Sequence, residues 1–552
     1  MKRRVAWEIP VLALGVATGL GLVGFGAWRE LGGGAPVRTP AASTAVPAAA
    51  PTPPPARAAG PLQGSGPAAP GDRSAAADAR CEGCDIVLVT VCSLRQDYVG
   101  AYGVHPALTP NIDRLAATGV RFDRAYSASN FTLAGLTAIL TGRYGSSTGV
   151  TGWDKGLVAD IPTLPEVLGH YGYQTAAFTI DAPSGFRPDY GLHRGFSRME
   201  ILPPPRDTPD GRATGGAPGP GGDSARPVAA WLAEAPTDAP VFVMFHSRTA
   251  HFPFVLEPPA PGADPTGVLQ GLWDAGMDAS RADAPRPGMA GGTAQKGVVP
   301  LPGEDPLQGL MNRAGAAGDA AWRAAYAASV ERMDIDIGVV LDAVAKRGRP
   351  TVVLLVADHG ESLDDHNELL HGDAYWDTVT RVPLVLSVPG VAPARTAALV
   401  SHVDIAPTLL ALVGALPPAD IDGTSLLPLL DGAPSVRTTT LVEGGVAWRE
   451  GTIPRGAVIA PPWALLRQDR GCNGGEPARG PGEPATCLYD LDADAPQATN
   501  VARAHPDVVT DLLGRWDAFR AARAGTAKQL ELDPAYVEAL RRTGYDFRVG
   551  AE

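Results

Sequence analysis

The run Ile86-Val87-Leu88-Val89-Thr90-Val91, followed directly by Cys92-Ser93-Leu94-Arg95, constrains the chain most. It is β-branched and uncharged. A run of this kind suits a strand covered on both faces, as in the centre of a parallel sheet. Ligands of doubly wound sheets gather just past the carboxyl ends of strands, and Cys92 falls at that place. Further strands are expected at Thr175–Ile180, Val241–Phe245, Thr351–Val356 and Leu384–Val388. Tyr326, Val330, Met333, Ile337, Val340, Leu341 and Val344 recur at spacings of three and four, the mark of an amphipathic helix. Thr109 and Pro110 open a shorter helix as N-cap and first residue, with Ile112, Leu115 and Ala116 on its apolar face and Gly119 at its end. Phe131-Thr132-Leu133 starts another helix, which Gly142 ends. Strands alternating with helices predict an α/β layered fold, a large, mostly parallel sheet sandwiched by helices.

The chain has 552 residues, enough for a large core and an additional domain. Its net charge of −13 speaks against a general nucleic-acid binder. Lys2-Arg3-Arg4 precedes Ile9–Trp28, a stretch of 20 residues without a charged side chain. That length just spans the hydrocarbon of a bilayer, and the basic cluster keeps the N-terminus in the cytoplasm. A cleaved signal peptide is the competing reading. An uncleaved anchor is preferred, because the run is long and no small-x-small site follows closely. Residues 32–84 are rich in Ala, Pro and Gly and read as a flexible tether. The core domain is expected over 85–430, with surface insertions at about 202–228 and 255–320, and a smaller C-terminal α+β region over 431–552. This organisation predicts a single-pass protein with its globular part outside the cytoplasm, on a bacterial inner membrane facing the periplasm.

Chemistry-bearing residues cluster just past the strands. Cys92 follows the first; His246 and His251 follow Val241–Phe245; Asp358-His359-Gly360-Glu361 follows Thr351–Ala357; His371 comes soon after. Any one histidine is more often a packed or surface residue, but strand ends of a doubly wound sheet converge on one crevice. Asp358 and His359 are adjacent metal-ligand types. Thr132 opens a helix, where threonine is commonly a plain N-cap. The functional reading is a nucleophile at a helix N-terminus, activated by a dication. Of the other cysteines, Cys472 and Cys487 flank a Gly/Pro-rich loop and can close it as a disulfide in an oxidising compartment. Cys81-Glu82-Gly83-Cys84 is a single C-x-x-C, weak for zinc and at least as suited to a local disulfide.

The ordered set IVLVTVCSLRQDYVGAYG (86–103), TPNIDRLAATGVRF (109–122), LTGR (140–143), GLHRGF (191–196), ADHGE (357–361), His371-Gly372, RVPL (381–384), VDIAPTLL (403–410), DGTSLLPLL (422–430) and CLYDL (487–491) resembles the sulfatase family of the alkaline phosphatase superfamily. The resemblance implies a large mixed sheet between helices, plus a C-terminal subdomain with a small antiparallel sheet. It implies one divalent metal, calcium or manganese on the family pattern, and a sulfate or phosphate ester as substrate. Asp358 and His359 match metal-binding positions, and His251 and His371 match histidines that contact the ester's oxygens. The chain departs from the pattern at Cys92, where related proteins carry a metal-binding Asp. Cys92, Thr132, Asp358 and His359 would form a four-ligand site whose thiolate and imidazole suit zinc. Thr249-Ala250 stands where Asp-Pro is common. Thr132-Leu133-Ala134-Gly135-Leu136 stands where sulfatases carry Cys/Ser-x-Pro/Ala-x-Arg, the substrate for formylglycine formation. Threonine cannot become formylglycine, so none is expected. Superfamily members that act on phosphate esters or move phosphoglycerol groups are similar in using an unmodified Thr or Ser. Two readings follow: a metal-dependent ester hydrolase with Thr132 as nucleophile, or an inactive sulfatase-like protein serving as a tethered binding module.

Overall fold

The computed structural model describes residues 80–540, apart from 203–221, 255–305, 445–454, 474–483 and shorter breaks at 104, 106–107, 181–184, 253, 373–374, 436, 469–470, 524, 535 and 538–539. An eight-stranded sheet carries the core of this part. In chain order its strands are β1 (Asp85–Val91), β2 (Val120–Tyr126), β3 (Gln174–Ile180), β4 (Arg198–Leu202), β5 (Val241–Ser247), β6 (Thr351–Ala357), β7 (Leu384–Ser387) and β8 (Ala394–Ser401). Across the sheet they lie in the order β8-β2-β7-β6-β1-β5-β3-β4. Adjacent strands are parallel except at β7, which runs against both neighbours.

β1 is central, between β5 and β6, and all its residues are buried. Burial of each Val, Leu or Ile there contributes roughly 1.5–3 kcal/mol, which is why the run tolerates no charge. The one acid, Asp85, opens the strand. It is paired with Arg347 at 2.7 Å and Arg349 at 3.1 Å and accepts the Val241 N–H at 3.0 Å. β2, β4 and β8 were not foreseen. β4 and most of β8 lie at or near a sheet edge and are partly exposed, so neither has a continuous apolar run.

Helices cover the sheet. α1 (Pro110–Thr118) and α2 (Thr132–Thr141) occupy the expected stretches and stop at Gly119 and Gly142. Thr109 precedes α1 but does not cap it with its hydroxyl, which instead accepts the Gly100 N–H at 2.9 Å. The unpaired first-turn N–H groups of Asn111 and Ile112 donate to Asp334 at 3.0 and 2.9 Å. The cap thus comes from another helix, and that correction to the sequence reading has a tertiary cause. α3 (Arg226–Glu234) and α4 (Pro306–Arg347) follow. α4 buries Tyr326, Val330, Met333, Ile337 and Val340, as their spacing predicts, with Leu341 and Val344 packed partly buried against the core. It starts earlier than expected, so residues 306–320 are helical and not part of an irregular insertion. Likewise, 202–228 is bounded by Leu202 in β4 and Arg226 in α3.

A second sheet has four antiparallel strands in sequence order, β9 (Thr440–Glu443), β10 (Gly456–Ala460), β11 (Trp463–Gln468) and β12 (Ala485–Asp490). Its residues alternate between two buried faces. Val442, Ile459, Leu466 and Tyr489 pack with Tyr126, Trp376 and Val379. Leu441, Val458, Leu465 and Leu488 pack with Ala138, Val403 and with Leu512 and Trp516 of α5 (Pro506–Ala521). Disulfides join Cys81 to Cys84 and Cys472 to Cys487, with Cα separations of 5.3 and 5.5 Å. The C-x-x-C is therefore a local disulfide and not half of a zinc site. Cys81 and Cys84 are buried in the main core, so the folded body begins before Asp85, inside the stretch read as tether. Cys92 is a buried free thiol. No helix of the described residues is long and apolar enough to cross a membrane, and the span expected at Ile9–Trp28 lies outside them.

Candidate active site

Parallel register brings the first residues together. Val91 pairs with Ala357 of β6 and with Ser247 of β5. Cys92, Asp358 and Arg248 therefore leave the sheet at one level. Backbone bonds continue the ladder: Cys92 N–H donates to Ser247 O at 2.8 Å and Asp358 N–H to Val91 O at 3.0 Å. Ser93 then turns the chain with φ of 60°, a left-handed conformation that costs a non-glycine residue about 1–2 kcal/mol. The turn aims the Ser93 N–H at Asp358 Oδ1, 3.2 Å away, where it joins the His359 N–H at 2.8 Å. Tyr326 of α4 braces it, donating its hydroxyl to Ser93 O at 2.7 Å and accepting the Arg95 N–H at 2.9 Å.

Thr132 is the first helical residue of α2, after Phe131, and not the cap itself. α2 can approach because residue 135 is glycine. A Cβ there would lie 2.8 Å from the Asp358 carbonyl oxygen. Ser127 donates its hydroxyl to the same carbonyl at 2.7 Å. The result places Thr132 Oγ1 3.2 Å from Cys92 Sγ and 3.2 Å from His359 Nε2.

His359 Nδ1 lies 2.8 Å from Gly360 O. It donates its proton there, and the lone pair of Nε2 faces Cys92 at 4.0 Å and Asp358 Oδ1 at 3.6 Å. One ligand atom from each of Cys92, Asp358 and His359 lies within 4.8 Å of the others, and all three residues are buried. Asp358 Oδ2 has no hydrogen-bond partner among the described residues. A buried carboxylate oxygen left so is costly, and a cation removes the cost. Tetrahedral zinc holds N, O and S ligands at about 2.0–2.3 Å, which puts the ligand atoms roughly 3.3–3.7 Å from one another. His359 lies 3.2–4.0 Å from Thr132, Asp358 and Cys92, and Thr132 lies 3.2 Å from Cys92, close to those values, while the Cys92, Asp358 and His359 ligand atoms as a set, within 4.8 Å of one another, would draw in around such an ion. Burial, then the Asp358 charge, raise the Cys92 thiol well above its usual range. Burial lowers His359 to about 4 against the pull of Asp358, so its ring is neutral, the form that ligates metal.

His371 and His251 extend the cluster. The His371 ring lies 4.1 Å from that of His359 and 4.9 Å from that of His251. His371 Nδ1 is 3.0 Å from Glu361 Oε1, and His251 Nδ1 is 2.5 Å from Phe252 O. Burial lowers the pKa of both imidazoles. The six residues singled out from the sequence, Cys92, Thr132, His251, Asp358, His359 and His371, thus meet in one buried crevice. His246, also noted, bonds through Nδ1 to Thr90 at 2.9 Å inside the sheet. Sequence reasoning missed Ser93, Gly135, Arg248 and the pairing of Glu361 with His371. Arg248 Nη2 lies 3.2 Å from His251 Nδ1; its place just past β5 was the available signal.

The family model for sulfatases matches residues 85–415. The delta 4,5-hexuronate-2-O-sulfatase of Bacteroides thetaiotaomicron is 25% identical over 444 residues, which span 75% of this chain and 84% of that protein. Among solved structures, a 2-O GAG sulfatase superposes with a TM-score of 0.58 at 20% identity, over 84% of this chain and 96% of that one. The phosphonate monoester hydrolase of Agrobacterium radiobacter also gives 0.58 at 20% identity, over 82% of this chain and 98% of that one.

Proposed function

Because the chain belongs to the sulfatase family, whose members generally use a divalent metal, we propose that it is a metal-dependent hydrolase of sulfate or phosphate esters with unmodified Thr132 as nucleophile. The observation that carries this is the Thr132 hydroxyl, at the start of α2 and 3.2 Å from both Cys92 Sγ and His359 Nε2. Cys92, Asp358 and His359 would hold the ion, and their sulfur and nitrogen donors favour zinc over calcium or manganese. When bound, the ion supplies a lowered Thr132 pKa and polarisation of the ester. Thr132 Oγ1 bonds to the sulfur or phosphorus as the ester's alcohol oxygen leaves and takes up the proton that Thr132 gives up; water then attacks the same centre, frees sulfate or phosphate and returns a proton to Thr132. The first-turn N–H groups of α2 lack intrahelical partners and favour the negative charge of the group being transferred. His251 and His371, kept neutral by burial, contact its oxygens as hydrogen-bonding groups and not as fixed cations. The Ile9–Trp28 segment would tether the domain to the membrane.

Leu136 favours a second reading. It is fully buried in the core at the position where the sulfatase motif ends in arginine. On that reading the protein binds an anionic ester without turning it over. One experiment separates the two. The full chain, purified without chelator and loaded with zinc, is assayed for metal content and against aryl sulfates, sulfated saccharides, phosphate mono- and diesters and phosphonate monoesters. About one equivalent of zinc, and a turnover abolished in Thr132→Ala, are expected for a single-ion site. No retained metal, or turnover untouched by Thr132→Ala, sinks the first reading. Silence in the wild type with activity appearing in Cys92→Asp supports the second.

A further inference from the structure

The hairpin between Glu361 and His371 is short and conformationally unfavourable. Its strands, Ser362–Leu363 and Leu369–Leu370, have two residues each. Asp364, His366 and Leu370 have φ of 64°, 58° and 67°. Non-glycine residues hold such angles only where the surroundings over-determine them. The surroundings here are specific. Asp365 is gripped by Arg95, next to the Cys92 turn, and by Arg323 of α4 at 3.2 Å. His366, at the tip, lies flat on Trp376, with ring centres 4.0 Å apart and planes 23° apart. Its Nδ1 accepts a hydrogen bond from Asn473 Nδ2.

Asn473 is the anchor that comes from outside the main sheet. Its neighbour Cys472 is bonded to Cys487 of β12. Its own N–H donates to the Tyr489 hydroxyl of β12 at 3.1 Å, and its carbonyl accepts the Asn500 N–H at 3.1 Å. The second hydrogen of its amide goes to Gln497 O at 3.0 Å. Every polar group of Asn473 except its side-chain oxygen is therefore committed to holding it in place or to holding His366. The far end of the same hairpin carries Glu361 and His371, 3.0 Å apart, with the His371 ring 4.1 Å from that of His359.

We infer that Asn473 is a positioning residue for this site. Held by the Cys472–Cys487 disulfide, it fixes His366 at the hairpin tip and so sets where Glu361 and His371 stand beside Thr132 and His359. The link explains why a loop of the second sheet is disulfide-bonded at this point. It adds a contribution from that sheet to a crevice otherwise built from the first. Its catalytic consequence rests on the proposed reading, in which His371 contacts the ester; the placement of His371 itself does not.

The test is a spectrum of the full chain with isotope-labelled histidine, signals being assigned with His366→Gln and His371→Gln. Asn473→Ala is expected to shift the His371 imidazole signal and to leave that of His402 in place. His402, bonded to Ala357 O at 2.9 Å, reports the main sheet. His366→Ala should move the His371 signal in the same way and decides the matter if Asn473→Ala does not fold. A His371 signal unmoved in either folded variant overturns the inference. Zinc content should not change, since no metal ligand lies on the hairpin. A chain that turns over no ester leaves this readout intact, so the two proposals fail separately. In a chain that does turn over ester, Asn473→Ala should lower kcat roughly tenfold or more at constant metal content.

Discussion

At the scale of single residues, the site depends on atoms that are absent as much as on those present. Gly135 has no Cβ, and one added there would meet the Asp358 carbonyl at 2.8 Å. Alanine is otherwise the better helix former by about 1 kcal/mol. Gly135→Ala should therefore invert the usual sign, destabilising by roughly 1–3 kcal/mol as overpacking does and weakening zinc retention. Urea unfolding and metal content check this; a variant more stable than wild type would show that α2 and the Asp358 loop can part freely. The buried imidazoles make a second prediction. His246 and His402 are both lowered from 6.5 to about 4 by burial. The unfolded chain then binds more protons than the folded one between those values, so stability rises with pH through that window and is lost as pH falls from about 6.5 towards 4. The loss is roughly 3 kcal/mol for each ring. Glu361, raised to about 8 by burial, has the opposite sign, its contribution falling as pH rises. The denaturant midpoint should drop steeply below pH 6.5, and a flat midpoint from pH 7 to pH 4.5 would contradict it.

Among elements, the capping of α1 shows how one helix completes another. Asp334 is 1% exposed, and its carboxylate takes two N–H groups from the first turn of α1 as well as the Asn111 side chain at 2.9 Å. Asp334→Ala leaves those donors buried without partners and should cost about 1–3 kcal/mol, measured by urea denaturation. Thr109→Ala should leave these cap bonds in place. The sequence reading put the cap on Thr109 because local capping is the common case. The true partner lies more than two hundred residues away and carries no local signal. The same limit hid β4 and β8, which are partly exposed, whereas β1, β5 and β6 announced themselves by unbroken apolar runs. It also hid the pairing of Glu361 with His371, ten residues apart, which requires a hairpin held in left-handed conformations.

For the whole molecule, the globular body and the N-terminal segment make a joint prediction. If Ile9–Trp28 is an anchor, the full chain should sediment with membranes and resist carbonate extraction. A chain beginning at Arg80 should be soluble, and protease cleavage within residues 32–79 should release an intact domain. Full-length protein recovered free of membranes, without its first thirty or so residues, would instead mark a cleaved signal peptide. Both disulfides suit an oxidising compartment, the setting that an anchored, extracytoplasmic domain would have.

The apolar strands that flank Cys92, the ligand types at their ends and the unsuitability of Thr132 for formylglycine are all properties of local sequence. Each depends on side-chain chemistry or on a period of apolar residues, and both can be read without coordinates. Tertiary structure decided the rest. Parallel register set Cys92 beside Asp358, and a missing Cβ at Gly135 let Thr132 come within 3.2 Å of both Cys92 and His359. A hairpin clamped from the second sheet brought His371 to the same place. These contacts join residues tens to hundreds of positions apart. Register, close approach and clamping come from packing the whole core, and no stretch of the chain specifies them alone.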